Sequence, residues 1–394
     1  MNDTTAKTIP KGRQVLLKGT ILIIGVIVGL LLVEITLRLI TTREVMRYFF
    51  MSPDSIVHHR FTPNSSGRYQ TVEFDTYYHI NSLGLRDREY STRKPDTSVR
   101  ILMLGDSFTE GDGVEASETF SKVLEVLLDS AGGTKKCEII NAGVGSYSPV
   151  LEYLYVKKHG LSLSPDLVVL NFDLSDVFDD IQYSRLARFD DTGNVLGVSP
   201  ASENRNESLI IRVLAGIKDF FKEHTRTYNF VRIRIDRYLE GVRHEGDFSG
   251  DVRYDKYAML RENQQAKDGG DWSQSFKYIL QLRDLLRAHH IDFLLTVYPY
   301  GLQVSPKEWN LGRQFWGFKS DTVYACLPQS KMEDFCRRNG IKVINMCDAF
   351  KLASQATHPL FLEYNGHWTP AGHRVVAEAL KPEITSYLRS RLFK

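Results

Sequence analysis

The sequence predicts a three-layer α/β domain with a mostly parallel sheet, carried behind one N-terminal transmembrane helix. Three observations predict it. Short apolar runs alternate with stretches of helical periodicity along most of the chain. The run at 99–104 (VRILML) is continuously apolar, as a strand covered on both faces must be. A single segment at 19–33 (GTILIIGVIVGLLLV) carries no charge.

The elements follow in order. Apolar character extends from Val15 to Ile40, with Lys18, Glu34 and Arg38 near the ends, where long side chains reach headgroups. No small-residue cleavage site follows at TTREVMRYFF, so the expectation is an uncleaved signal-anchor. Lys7, Lys11, Arg13 and Lys18 precede the span, while Arg38, Arg43 and Arg47 follow it. That balance favours an N-terminus inside and a main domain outside, in the periplasm of an inner-membrane protein. Residues 42–95 read as an irregular polar connector. After the strand at 99–104, a helix is expected at 117–128, a strand at 138–142, a helix at 149–159 and a strand at 166–172. A charged, turn-rich insertion at about 180–270 reads as a lid or substrate platform, or as an appendage against the membrane-proximal part; it holds a helix candidate at 209–221. Alternation resumes with a helix at 273–289 and a strand at 291–297. Helix 332–338, strand 341–345 and a last helix at 371–392 complete it. The expected division is therefore 1–41 tail and anchor, 42–95 connector, and 96–394 a domain interrupted at about 180–270.

Composition narrows the function classes. Of 394 residues, 50 Lys and Arg face 48 Asp and Glu, a net charge of +2, which provides no global field for nucleic acid. The 42% hydrophobic content excludes a disordered chain. Cys326 and Cys336 are close enough in sequence for a disulfide, and Cys137 and Cys347 sit in strand-like stretches. None forms a CxxC or His-containing zinc pattern, so structural roles are expected, and neither a metal nor a cofactor.

In an α/β sheet, ligands bind beyond the carboxyl ends of the strands. The first strand runs directly into Gly105-Asp106-Ser107-Phe108-Thr109-Glu110-Gly111. A serine on such a turn exposes its hydroxyl beside a helix N-terminus, uniting a nucleophile with one oxyanion donor. No Gly-Lys-Ser/Thr follows, so this is no phosphate loop. The second strand ends in Asn141-Ala142-Gly143-Val144-Gly145-Ser146-Tyr147 and the third in Leu174-Ser175-Asp176. Before the last helix stands Asn365-Gly366-His367-Trp368-Thr369-Pro370-Ala371-Gly372-His373, which offers a general base.

GDSFTEG, NAGVGSYSP, DLVVLNFDLSD and NGHWTPAGH resemble, in order and approximate spacing, the four blocks of the SGNH (GDSL-like) hydrolase superfamily. The lead-in Ile80-Asn81-Ser82-Leu83-Gly84-Leu85-Arg86 looks like that of its membrane-anchored bacterial branch. The resemblance covers about 80–180 and 273–392. It implies a flavodoxin-like sandwich, Ser107 as nucleophile, His367 as base, and Gly145 joining the Ser107 N–H in an oxyanion hole. Two positions depart from the pattern. Ser175 stands where the family's block has an oxyanion-donating asparagine, with Asn171 a nearby substitute. The acid that orients the histidine is replaced by Tyr364 in one spacing and by Asn365 in the other, with Glu363 adjacent. The implied activity is that of a membrane-anchored serine esterase or O-acyltransferase on acyl, most simply acetyl, esters of a surface or exported glycan. The implied partners are the acylated carbohydrate, the membrane through 15–40, and a polysaccharide-export or acyl-donor protein, with no nucleic acid. The competing expectation is a non-catalytic SGNH-like protein that binds a glycan or an export partner.

Overall fold

Eight consecutive buried residues, Ser98–Gly105, form the centre of the sheet (β5). Burying each of its Leu and Ile side chains contributes about 1.5–3 kcal/mol. Its one charge, Arg100, pairs with Glu138 at 2.8 Å and donates to the Leu163 carbonyl, so the buried guanidinium is fully engaged. Parallel neighbours are β6 (Lys136–Asn141) on one side and β7 (Leu167–Phe172) on the other, followed by β10 (Asp292–Val297) and β11 (Lys342–Asn345). The spatial order is β11-β10-β7-β5-β6. Numbered by first appearance, this is 2-1-3-4-5, the flavodoxin-like order expected from the sequence. The direction of winding reverses between β5 and β7, which places a crevice at their carboxyl ends.

The computed structural model describes residues 11–40, 44–45, 50–71, 73–129, 136–200, 271–392, and parts of 213–235. Two compact units divide them. The first joins the N-terminal segment through Val45 to 206–241; the second contains the sheet. In the first, α1 (Lys11–Ile40) includes Gly12–Leu39, 28 residues long and apolar enough to cross a membrane. At 1.5 Å per residue it reaches about 40 Å, against a hydrocarbon core of about 30 Å. Within this unit Glu34 accepts the backbone N–H groups of Arg226 at 3.0 Å and Thr227 at 2.8 Å.

In the sheet unit, α2 (Ser107–Glu110) follows β5. Then α3 (Phe120–Asp129) and the last helix, α11 (Pro370–Leu392), pack together on one face. On the other face α4 (Pro149–Lys158), α5 (Asp176–Ser184) and α6 (Ser273–Ala288) pack together. Short helices α7 (Gly301–Val304) and α8 (Asn310–Phe315) fill the stretch after β10; α9 (Leu327–Arg338) leads to β11, and α10 (Cys347–Ala353) follows it. Cys326 bonds to Cys347, while Cys137 and Cys336 are free and buried. The pair adjacent in sequence is therefore not the pair that bonds: the bonded residues stand 21 positions apart, in the segment just before α9 and at the start of α10.

Two expectations change. The connector is not irregular: it forms antiparallel hairpins β1–β2 (Met51–Asp54, His58–Phe61) and β3–β4 (Ser66–Gln70, Asp75–His79). Their alternation, clear in the exposed–buried pattern of β4, is obscured in the sequence because the buried positions include Thr76 and Tyr78 rather than plain aliphatics. The insertion also starts later than 180. Residues through Ser199 belong to the sheet unit, where hairpin β8–β9 (Ala187–Phe189, Val195–Val198) bonds to the connector through Arg188 and the Ser55 carbonyl at 2.6 Å. The stretches 201–212 and 236–270 lie outside the described residues, as does much of the helix candidate at 209–221, whose described residues 213–214, 216–218 and 220–221 are helical.

His373, the second histidine of the NGHWTPAGH block, is part of this frame. It is 1% exposed, and its Nδ1 accepts the Phe120 N–H at 3.1 Å, satisfying an amide that the start of α3 leaves open. Burial, with the Arg86 and His367 charges adding to it, pushes His373 down to about 3. Unfolded, it takes up a proton below about pH 6.5, and folded it does not, so stability falls as pH drops through that window. Chemical denaturation at pH 7.5 and 5 should show the wild type losing about 2 kcal/mol relative to His373→Asn on acidification. An unchanged difference between the two proteins would remove His373 as the acid-sensitive group.

Candidate active site

The turn that follows β5 is built so that few residues fit it. Gly105 has φ +152°, and a Cβ there would lie 2.1 Å from Thr109 Oγ1. Asp106 caps α2, its Oδ1 accepting the Phe108 N–H at 2.9 Å. Gly143, from the loop after β6, comes so close that a Cβ would lie 2.2 Å from the Glu110 amide nitrogen. From outside, Arg86 of the lead-in holds the far end of the turn. Its guanidinium donates to the carbonyls of Glu110, Gly111 and Val114 and lies 3.8 Å from the Tyr78 ring centre. Asn81 in turn accepts the Leu83 and Leu85 N–H groups, each at 2.9 Å, and so shapes the segment that delivers Arg86.

This places Ser107 at the carboxyl end of β5, at the switch point. Its Oγ lies 2.6 Å from His367 Nε2 and 3.3 Å from Asp106 Oδ2. The ring's other nitrogen, Nδ1, faces Asn365 Oδ1 in a very short contact, and the His367 backbone N–H points to the same oxygen at 3.4 Å. The His367 backbone N–H can only donate, so the atom it meets is the amide oxygen. That oxygen accepts, which places the ring proton on Nδ1 and makes Nε2 the acceptor for the Ser107 hydroxyl. The His367 loop is held from both sides. Glu73 accepts the Tyr364 and Asn365 N–H groups at 2.8 and 2.7 Å, and Trp309 Nε1 donates to the Tyr364 carbonyl at 3.0 Å. Phe108 packs on the imidazole with ring centres 4.6 Å apart, backed by fully buried Trp368.

Sequence reasoning missed one group here. Asp112, 3% exposed, brings Oδ2 to 3.9 Å from His367 Nδ1. Its own N–H donates to the Ser107 carbonyl at 3.0 Å, so the loop that carries the nucleophile turns back on itself to deliver a carboxylate. At an effective dielectric constant of about 20, a full positive charge on the ring would gain about 4 kcal/mol from it. The signal lay in the sequence, five residues after Ser107, but this acid comes from the serine block rather than the histidine block. Glu363 makes no hydrogen bond to His367.

The expected oxyanion set is corrected. The Gly145 N–H donates to Glu110 Oε2 at 2.7 Å, in a buried carboxylate that also accepts the Tyr78 hydroxyl. Ser175 turns its hydroxyl to Asp173 Oδ2, because Ser175 ends the loop that leads into α5 and its side chain closes that loop. Asn171 donates its Nδ2 to the Leu104 carbonyl at 2.8 Å and accepts the Thr296 hydroxyl at 2.7 Å, bracing the strands rather than the crevice. The Ser107 N–H, first in α2, has no intrahelical acceptor and faces outward from the helix start. The loop of Gly145 is itself clasped by the connector: His59 Nε2 meets the Gly145 carbonyl at 2.8 Å, and the Tyr147 hydroxyl donates to the His59 carbonyl at 2.7 Å.

No protein-family model matches the chain, and no curated protein matches it. Among solved structures, the chain is similar to an acetyl xylan esterase at 14% identity, covering 73% of this chain and all of that one, with a TM-score of 0.38. A catalytic mutant of an acetylxylan esterase from Geobacillus stearothermophilus is similar at 11% identity over 74% of this chain and 96% of that one, TM-score 0.40. A GDSL-like lipase from Bacteroides thetaiotaomicron is similar at 12% identity over 76% and 93%, TM-score 0.35.

Proposed function

We propose that the protein is a membrane-anchored serine esterase or O-acyltransferase that works through an acyl-enzyme on Ser107. The observation that carries this reading is the 2.6 Å contact between Ser107 Oγ and His367 Nε2 at the carboxyl end of a central parallel strand. Ser107 Oγ attacks the acyl carbonyl while its proton passes to His367 Nε2. The tetrahedral oxyanion meets the Ser107 N–H. Collapse breaks the ester C–O bond, and His367 returns the proton to the departing alcohol. Water or a sugar hydroxyl then attacks the acyl-enzyme, with His367 taking its proton; collapse breaks the bond between Ser107 Oγ and the acyl carbon, and His367 returns the proton to Oγ. The two fates use the same residues, and exclusion of water favours transfer.

The imidazolium in this scheme has Asn365 for orientation and Asp112 for charge. An amide alone would leave the ring poorly stabilised: the corresponding Asp-to-Asn change in a serine protease triad costs about 10⁴ in turnover. Asp112 supplies the negative charge from a second direction.

The substrate class and place rest on different observations. The sequence blocks and the lead-in support an acetylated surface or exported glycan, and near-neutral charge suits a weakly charged polymer. The apolar length of α1 supports an anchor, and the Cys326–Cys347 disulfide supports an oxidising, extracytoplasmic setting. A polysaccharide-export or acyl-donor protein fits the transferase form.

A second reading is a non-catalytic SGNH-like binder of a glycan or export partner. The commitment of the Gly145, Ser175 and Asn171 donors to internal acceptors favours it. A fluorophosphonate probe and p-nitrophenyl acetate turnover, applied to the detergent-solubilised full chain, separate the two. The esterase reading predicts labelling and turnover that both vanish in Ser107→Ala; absence of both in the wild type would overturn it.

Within the esterase reading, Asp112→Asn should lower kcat about 10²-fold with KM little changed, since the charge acts only as the imidazolium forms. Asn365→Asp should raise kcat by restoring a carboxylate at Nδ1. Wild-type turnover in Asp112→Asn would exclude its charge from the mechanism.

A further inference from the structure

The unit that contains α1 also contains part of the insertion. Its described residues 213–214, 216–218 and 220–221 are helical. At about 100° per residue, Val213, Leu214, Ile217, Phe220 and Phe221 fall within an arc of about 120°. All five are open to the outside, from 45% exposed at Phe221 to 60% at Leu214. Ile27 and Leu31 of α1, which face lipid if that helix spans a membrane, are 52% and 56% exposed. A contiguous apolar face of this kind marks a surface that something else covers.

Two observations say what covers it. The first is where the stretch is attached. The uncharged run of α1 ends at Val33, and Glu34 is the first charged residue after it. The seven residues Glu34–Ile40 rise about 10 Å, roughly the excess of α1 over a hydrocarbon core. Glu34 thus stands where the acyl chains give way to headgroups. Its carboxylate accepts the open N–H groups of Arg226 and Thr227, which begin a second helical stretch, and the Thr227 hydroxyl at 2.7 Å. In return the Arg226 guanidinium donates to the Leu37 and Arg38 carbonyls at 3.3 and 3.1 Å, among the last four of α1. Thr225, next to this junction, closes the first stretch: its N–H donates to the Phe221 carbonyl at 3.0 Å and its hydroxyl to the same oxygen at 2.8 Å. One helical turn, about 5.4 Å, therefore separates Phe221 from the clasp at the end of α1.

The second observation is charge. Between Leu209 and Arg237, seven Lys and Arg stand against three Asp and Glu, in a chain that is otherwise balanced. An apolar face bordered by basic residues is the pattern of a helix that lies in a membrane interface. We propose that the helical stretch around 213–221 lies in the headgroup boundary of the membrane that α1 crosses, with Val213, Leu214, Ile217, Phe220 and Phe221 against the acyl chains. The chain then meets the bilayer twice, once across it and once along its surface. This placement rests on the reading of α1 as an anchor. It makes the start of the insertion a membrane element rather than a lid.

The test uses the full chain in vesicles of phosphatidylcholine and phosphatidylglycerol. The two free cysteines are buried, so a cysteine added at an exposed position takes a nitroxide label selectively. Ile217→Cys, Phe221→Cys and, within α1, Ile24→Cys are labelled singly, each checked for folding by circular dichroism. Electron paramagnetic resonance then compares relaxation by oxygen, which partitions into acyl chains, with relaxation by a water-soluble nickel chelate. Oxygen should exceed nickel severalfold at 217 and 221, as at 24. An Ile24 label in lipid with the other two reached by nickel overturns the inference and leaves the anchor standing. Shielding of both insertion labels from both reagents also overturns it, because protein then covers the face. A nickel-accessible Ile24 label removes the anchor itself, and this placement with it.

Discussion

The candidate site depends on one constraint: a fully buried strand must turn, within three residues, into a short helix that is itself buried. β5 cannot carry a polar side chain inward except where it is paired, as Arg100 is with Glu138. At its end Gly105 takes a backbone conformation that side chains resist, Asp106 caps the new helix, and Ser107 becomes the first residue free of the sheet. Everything around this turn serves to hold it. Arg86 takes up the carbonyls at its far end, the Gly143 loop lies against its backbone, and His367 arrives from a loop that Glu73 and Trp309 fix in place. The segment before the sheet is thus part of the site's support rather than a spacer.

The geometry also explains how a chain with asparagine at Nδ1 keeps a charged partner for its histidine. The carboxylate comes from the loop that carries Ser107 rather than from the histidine loop: Asp112 Oδ2 lies 3.9 Å from the same ring nitrogen. Asp112 is placed to favour a transient positive charge on the imidazole of His367.

Much of the fold was legible because its signals are local and periodic. The strands at 99–104, 138–142, 166–172 and 291–297 announced themselves by apolar runs, and their alternation with helices implied the parallel sheet. The hairpins of the connector were hidden because their inward positions use Gly, Thr and Tyr rather than aliphatic residues. The positions of Ser107 and His367 followed from strand-end placement. The oxyanion assignments of Gly145, Asn171 and Ser175 did not survive, since a donor's direction depends on which acceptor reaches it first. Glu110, Leu104 and Asp173 reach these three, and none of those pairings has a sequence signature. Asp112 escaped for the same reason, as a long-range encounter with His367 by a residue that reads singly as a surface charge.

The central claim is that Ser107 forms a covalent acyl intermediate with His367 as its base. Rapid-quench mass spectrometry of the intact protein mixed with p-nitrophenyl acetate, followed by peptide mapping, tests it most directly. The account predicts a transient mass increase of one acetyl group on Ser107, absent in His367→Ala at the same mixing time. Turnover without an adduct, or an adduct on any other residue, would contradict it.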